Sequence, residues 1–160
     1  MHFKYEQVAE LSRASQAKEE LMSLLETVGK ISPQFILDVG TWRGYSMEVW
    51  HLAFNPLILL GIEIDPKNID RTIANNFKII VGDSHSEDTL TTVKAYLGDK
   101  KLDFLFIDGD HMYDGVKKDY DTFGPLVRDG GIIGFHDVII EDNPGVEVHR
   151  FWKELKSMGH

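Results

Sequence analysis

Apolar residues recur along the chain in two alternating rhythms. Leu21, Leu24, Leu25 and Val28 follow the i, i+3, i+4, i+7 spacing and predict a helix over residues 10–28, ended by Ser32-Pro33. Phe35-Ile36-Leu37-Asp38-Val39-Gly40 is instead a short continuous run that ends in turn residues, the pattern of a buried strand. The same exchange repeats four times. Residues 44–54 read as helix, and Leu57 to Ile64 as a second strand closed by Asp65-Pro66, where Pro66 is suited to open a helix. Phe77 to Val81 is a third strand, followed by a helix over 86–97 that Gly98 caps. Leu102 to Ile107 is a fourth, followed by a helix marked by Val116, Tyr120, Phe123 and Val127, with Gly124-Pro125 as an interruption. Gly131 to Phe135 is a fifth, and a last helix carries Val148, Phe151, Trp152 and Leu155.

The strands are apolar throughout, not alternately apolar and polar, as expected when helices cover both faces of a sheet. Strands alternating with helices imply right-handed crossovers and an open, doubly wound, mostly parallel α/β sheet. With no repeat or linker, residues 1–160 read as one domain, a helical segment over 1–33 and an α/β core over 34–160. A composition of 42% hydrophobic and 27% charged residues is that of a globular domain. The absence of cysteine excludes disulfides, thiolate metal sites and cysteine nucleophiles. A net charge of −9 disfavours nucleic acid as a partner. No apolar run approaches the ~18 residues of a membrane span, and Met1-His2-Phe3-Lys4-Tyr5-Glu6 is no signal peptide. The expectation is a soluble, cytoplasmic protein.

The chemistry collects at the strand exits, where open α/β sheets bind their ligands. In chain order these exits carry Asp38 and Gly40, Glu63 and Asp65, Asp83, then Asp108, Asp110 and His111, and finally His136 and Asp137. The first turn, Asp38-Val39-Gly40-Thr41-Trp42-Arg43-Gly44, lacks both the dinucleotide fingerprint and the nucleotide P-loop pattern. Glu63 lies 25 residues after Asp38, near the offset at which an acid takes both ribose hydroxyls of a nucleoside. Asp65 reads as a helix N-cap, and Asp110 as a cap or a ligand contact. His2, His51, His85, His149 and His160 show no partner signal and read as surface or packing residues. Trp42 and Tyr45 read as packing aromatics beside a pocket, and Lys117 and Lys118 beside Asp119 as a solvated helix face.

The D-x-G-x-x-x-G turn, the acid closing the second strand and Gly82-Asp83-Ser84 resemble a class I S-adenosylmethionine-dependent methyltransferase of Rossmann-like fold. Gly44-Tyr45-Ser46 is similar to the catechol and caffeoyl-CoA O-methyltransferase branch. Ile107-Asp108-Gly109-Asp110-His111 with Tyr113, Gly115 and Val116, then Gly130-Gly131-Ile132-Ile133 and Phe135-His136-Asp137, resemble the methyltransferase family 24 group of cephalosporin-hydroxylase-like and macrolide-sugar O-methyltransferases. The resemblance implies that Gly40, Thr41 and Gly44 make room for the methionine part of S-adenosylmethionine. It implies that Asp38 orients the amino group, Ser46 holds the carboxylate, Glu63 takes the ribose, and Asp83 with Ser84 sits by the adenine.

The same resemblance makes Asp108, His136 and Asp137 a divalent-metal triad for magnesium or manganese, with Asp108 also in the cofactor site. It makes His111 a general base that works with Asp108 in catalysis. Histidine at 136 departs from the acid common in relatives: manganese or iron tolerates it better than magnesium, or His136 stands outside the coordination sphere. The implied reaction is O-methylation of a small-molecule acceptor, a sugar hydroxyl or similar metabolite. The resemblance also implies an antiparallel strand pair after the fifth strand, whereas the residues after Asp137 read as one helix; the expectations are a minimal or truncated version of the fold, or a homo-oligomer covering the sheet edge. Two other readings stay open, a module that binds S-adenosylmethionine or S-adenosylhomocysteine without transfer, and a metal-dependent enzyme of another class.

Overall fold

The computed structural model describes residues 2–14, 16–70, 72, 77–140 and 142–159. Five parallel strands, β1 (Phe35–Val39), β2 (Ile58–Glu63), β3 (Lys78–Val81), β4 (Leu102–Ile107) and β5 (Val127–Phe135), form one sheet in the order β3-β2-β1-β4-β5. Among the described residues no antiparallel strand follows β5. Among the described residues six helices flank the sheet: α1 (His2–Leu11), α2 (Lys18–Gly29), α3 (Tyr45–Phe54), α4 (Glu87–Leu97), α5 (Tyr113–Phe123) and α6 (Val148–Ser157). No helix is long and apolar enough to cross a membrane among the described residues.

The continuous apolar runs serve two cores. Leu37, Val39, Leu60, Ile62 and Ile107 face Val93, Val116, Phe123 and Phe151 from α4, α5 and α6. Ile36, Leu59, Phe104 and Phe106 face the other way, against Leu21, Leu25, Met47 and Trp50 from α2 and α3 and against Tyr5, Val8 and Ala9 of α1. Trp50 is fully buried, with ring centroids 5.3 Å from both Phe104 and Phe106. Each face of β1 and β4 thus removes large apolar side chains from water, which makes the pair the most protected part of the sheet.

Four boundaries differ from the sequence reading. The predicted helix over 10–28 begins only at Lys18, as α2, and a helix the pattern does not show, α1, with Tyr5, Val8 and Ala9 on its buried face, precedes it and overlaps the prediction only at Glu10 and Leu11. Between them the Ser12 hydroxyl accepts the Ala14 N–H at 3.0 Å and turns the chain. Val127 opens β5 and does not continue the preceding helix, because Gly124–Leu126 forms a 3₁₀ turn with Pro125 in it. β5 accordingly starts before Gly131, and its register slips between Leu102/Val127 and Phe104/Ile132 to accommodate Gly130, whose φ is +73°. No helix opens at Pro66 among the described residues; Asp65 Oδ1 accepts the Lys67 N–H at 2.9 Å, capping a turn instead. The rest of that connection, residue 71 and residues 73–76, lies outside the described residues.

One buried acid ties three strands together at the end of the sheet away from the site. Asp103 Oδ2 accepts the N–H groups of Gln34 and Phe35 at 2.7 and 3.0 Å, and its Oδ1 accepts Arg128 Nε at 2.6 Å. Burial raises the Asp103 pKa, but these donors outweigh it and leave the carboxyl below its ordinary value. The acid therefore stabilises the fold above the unfolded carboxyl pKa and ceases to do so as pH falls through the folded one. Asp103→Ala should destabilise the protein by about 1–3 kcal/mol at neutral pH in urea unfolding, with the deficit shrinking as the pH drops below ~4. An equal deficit at both pH values would contradict this.

Candidate functional site

Sheet order brings two crossovers side by side. β1 and β4 are neighbours, yet their following chains leave toward opposite faces, so a crevice opens between the two exits. Ladder-like bonds carry on past the strand ends: Asp108 N–H donates to Val39 O at 2.8 Å, and His136 N–H donates to Ile107 O at 3.1 Å. That continuation places Gly40, Asp108 and His136 in a row along one rim.

Gly40 is the narrowest point. Its φ is +84°, and a Cβ on it would overlap the Asp108 carbonyl oxygen and lie 2.5 Å from Gly109 Cα. The Gly40 and Thr41 N–H groups both donate to Ile62 O at 3.0 Å, and Gly44, also at φ +84°, starts α3. Beyond this constriction lies a cavity of about 510 Å³. Its walls include Gly40, Glu63, Asp83, Ser84 and Asp108 of the predicted cofactor set. They also include Trp42, His85, Gly109, Asp110 and His111. A smaller cavity of about 40 Å³ on the other side of Gly40 is lined by Thr41, Ser46, Tyr45 and Gln16.

Glu63 is buried and held at both oxygens: Oε2 accepts the Trp42 N–H at 2.9 Å, and Oε1 accepts Asp65 N–H and Asn68 Nδ2, each at 3.0 Å. Those donors fix the carboxylate at the cavity wall, and Oε2, which accepts only one of them, keeps a lone-pair direction for a further donor. Asp83 Oδ1 accepts the His85 N–H at 2.8 Å and shapes the turn between β3 and α4. Asp110 Oδ1 accepts the Met112 N–H at 2.9 Å, a turn cap ahead of α5.

Asp38 and Gly44 line neither cavity. Asp38 is fully buried, its Oδ2 accepts Trp50 Nε1 at 2.6 Å, and its Oδ1 has no hydrogen-bond partner. Burial pushes its carboxyl pKa up to about 7, opposed in part by the Trp50 N–H and the nearby Ser46 hydroxyl. Asp38 thus braces β1 against α3 under the glycine turn.

At the other end of the crevice four side chains converge. The predicted triad of Asp108, His136 and Asp137 is joined by His111, and one donor atom from each lies within 4.8 Å of all the others. His111 Nε2 is 3.2 Å from Asp108 Oδ1 and 3.5 Å from Asp137 Oδ2. His136 Nδ1 is 3.0 Å from Asp108 Oδ1 and 3.2 Å from Asp137 Oδ1, a buried nitrogen without a well-aligned hydrogen bond. Asp137 reaches the group from a left-handed backbone at φ +59°, rare for a residue with a side chain. The chain after β5 also pins the His111 loop, because Glu147 N–H donates to His111 O at 2.7 Å. The Asp108 hydrogen bond raises the pKa of both His111 and His136. Burial raises that of Asp108, but the two imidazoles more than offset it and leave it below the ordinary carboxylate value.

Three features escaped the sequence reading. His111 shares the cluster with the triad. His85 lines the large cavity with its Nε2 3.3 Å from Asp119 Oδ1. Asp119, grouped with Lys117 and Lys118 on a solvated face, is fully buried. Of the remaining histidines, His149 Nδ1 is buried and unpartnered, and His160 and the His2 side chain lie outside the described residues.

The chain belongs to the methyltransferase-domain family, whose model matches residues 37–138. Its fold is the class I, Rossmann-like methyltransferase fold. It is 27% identical over 104 residues to the demethylmacrocin O-methyltransferase of Streptomyces fradiae, covering 65% of this chain and 25% of that protein. It is 25% identical over 126 residues to the uncharacterized protein y4gI of Sinorhizobium fredii, covering 75% of this chain and 12% of that one. The chain therefore spans a quarter or less of these curated relatives. An O-methyltransferase from Bacillus cereus, solved in complex with S-adenosylhomocysteine, superposes with TM-score 0.66 at 21% identity, over 98% of this chain and 77% of that one. The MycE methyltransferase of the mycinamycin biosynthetic pathway, solved with magnesium and S-adenosylhomocysteine, superposes with TM-score 0.70 at 16% identity, over 98% and 46%.

Two outcomes test the local physics. Gly40→Ala should destabilise the protein by about 2 kcal/mol or more, since it adds strain at positive φ to a main-chain overlap; an unchanged melting temperature would contradict the close approach. Because folded Asp38 keeps its proton up to about 7 and the unfolded chain releases it near ~4, stability should fall as pH rises between those values. Asp38→Asn should gain on the parent as pH goes from 5 to 8, by at most roughly 3 kcal/mol. Parallel melting curves for the two proteins across that range would refute the assignment.

Proposed function

We propose that this chain is an S-adenosylmethionine-dependent O-methyltransferase acting on a sugar or small hydroxylated metabolite, with a divalent cation and a histidine base. One observation carries the reading. One cavity is walled by Gly40 and the buried Glu63 and is bordered by Asp108 and His111, two members of the two-carboxylate, two-imidazole cluster.

The residues fit the cofactor. The methionine part needs main chain that a ligand can approach closely, and Gly40 supplies it where any Cβ would collide with the Asp108 main chain. The ribose diol needs a carboxylate held still, and Glu63 is held by three donors. Thr41 and Ser46 stand on the other side of Gly40, facing the smaller cavity, where hydroxyls suit the polar end of the methionine. Asp83 and Ser84 border the opposite part of the large cavity and are left for the adenine. Bound there, S-adenosylmethionine supplies an electrophilic methyl group for in-line transfer to oxygen.

The cluster fits a metal as well. Asp108, His136 and Asp137 present two carboxylates and a buried imidazole nitrogen without an aligned partner. Nitrogen donors favour manganese or iron over magnesium, which prefers oxygen. A cation there would orient the acceptor oxygen and lower its pKa. His111, the most exposed of the four, borders the cavity and is placed to receive the proton of the acceptor hydroxyl. Asp108 orients His111 and stabilises the imidazolium that forms. Most of the remaining acceleration comes from holding acceptor and methyl donor in line.

Glu63→Ala should weaken S-adenosylhomocysteine binding at least tenfold by calorimetry, through loss of charge-assisted bonds to the diol. His111→Ala should keep that affinity within a few-fold and lower the rate of transfer from labelled S-adenosylmethionine to a panel of sugars and glycosides by about 10²–10⁴. Unchanged cofactor affinity in Glu63→Ala would refute the ribose assignment, and an unchanged transfer rate in His111→Ala would refute the base.

A further inference from the structure

The large cavity has a second histidine–aspartate pair that the reading above leaves without a task. Asp119 lies on α5, fully buried, and neither of its oxygens has a formed hydrogen bond. Its Oδ1 is 3.3 Å from His85 Nε2, and its Oδ2 lies against Gly109, where a Cβ would stand 3.1 Å away. Burial raises the Asp119 pKa, reinforced by the Asp110 charge and opposed by the Ser84 hydroxyl, by His85 and by the Asp110 N–H. A buried carboxylate with so few donors is costly unless a neighbour's polar hydrogen is aimed at it. His85 Nε2 is also buried and has no other partner, so the two atoms answer each other's deficit.

His85 is part of the cavity wall, following Asp83 and Ser84 in the turn after β3. The metal-type cluster occupies the exits of β4 and β5, across β1 from β2 and β3 in sheet order. A cofactor whose reacting end faces that cluster and whose ribose meets Glu63 extends its base toward Asp83, Ser84 and His85. A carboxylate only accepts, so a proton on Nε2 serves Asp119 and leaves Nδ1 as an acceptor. An acceptor on this wall complements an exocyclic amino group and opposes a carbonyl oxygen.

We propose that Asp119 is a positioning residue that fixes the His85 imidazole as a hydrogen-bond acceptor, and that His85 thereby selects a 6-aminopurine over a 6-oxopurine at the far end of the cavity. The inference rests on the methyltransferase reading and adds the residue pair that sets its base specificity. A site built around a hydrogen bond discriminates strongly against a ligand that leaves its buried groups unpaired.

The test is calorimetric titration of the full chain with S-adenosylhomocysteine and with its deaminated analogue S-inosylhomocysteine. The parent should prefer the adenosyl compound by about tenfold or more. His85→Leu should reduce that ratio to about one, while His85→Gln, which can still present an acceptor, should keep most of it. Asp119→Asn, which can offer a donor to Nε2 and release the tautomer, should lower the ratio several-fold with circular dichroism showing a folded protein. A merely structural role would lower both affinities together and leave the ratio alone. An unchanged ratio in His85→Leu, with adenosyl binding intact, would overturn the proposal even if Asp119→Asn fails to fold. Failure of the parent to bind S-adenosylhomocysteine would overturn the methyltransferase reading, and this inference with it.

Discussion

The site depends on one contact between two stretches of main chain. Gly40, leaving β1, lies directly against Asp108 and Gly109, leaving β4, with no room for a side chain between them. Everything chemical is arranged around that contact. The parallel pairing of β1 with β4 aligns Val39 with Ile107, so the two exits stand at the same height. The crossovers then depart to opposite faces and leave a crevice between them that is open to a ligand. Under the turn, Trp50 of α3 packs against Phe104 and Phe106 of β4 and donates to Asp38 of β1, tying the helix to both strands.

Electrostatics divides the acids into two kinds. Asp103 and Glu63 are each held by three donors and act as fixtures, one at the base of the sheet and one at the cavity wall. Asp38, Asp119 and the Asp108 cluster carry incomplete partnerships in buried surroundings. Such groups are costly in a fold that does nothing with them, and they gather at functional sites for that reason. In this protein they gather around the strand exits: Asp108 and His111 border the large cavity with His136 and Asp137 beside them, Asp119 stands behind the cavity residue His85, and Asp38 lies beneath the glycine turn.

The strands were legible because burial on both faces writes itself as an unbroken apolar run, and the acids at their exits followed from the architecture. The N-terminal helices were less so: the periodic residues all lie in α2, α1 shows no comparable pattern, and the turn between them is capped by the Ser12 hydroxyl and marked by neither glycine nor proline, so α2 reads as starting too early. The convergence of Asp108, His136 and Asp137 needed only the neighbourhood of β4 and β5. The Asp119–His85 pair was illegible for a definite reason. Its members are 34 positions apart, and Asp119 sits among Lys117, Lys118 and Asp121, a context that reads as solvent. Asp38 was misplaced in a similar way, because Trp50, which claims it, lies on the next helix and no local pattern links them.

The central claim is that the two turns form one binding site across the β1–β4 junction. Backbone amide shifts of the labelled protein, followed by NMR during titration with S-adenosylhomocysteine, test this residue by residue. The account predicts saturable shifts concentrated at Gly40, Glu63, Asp83 to His85 and Asp108 to His111, with the β1 and β4 interiors unmoved. No shifts at millimolar ligand, or shifts confined to another face, would contradict it.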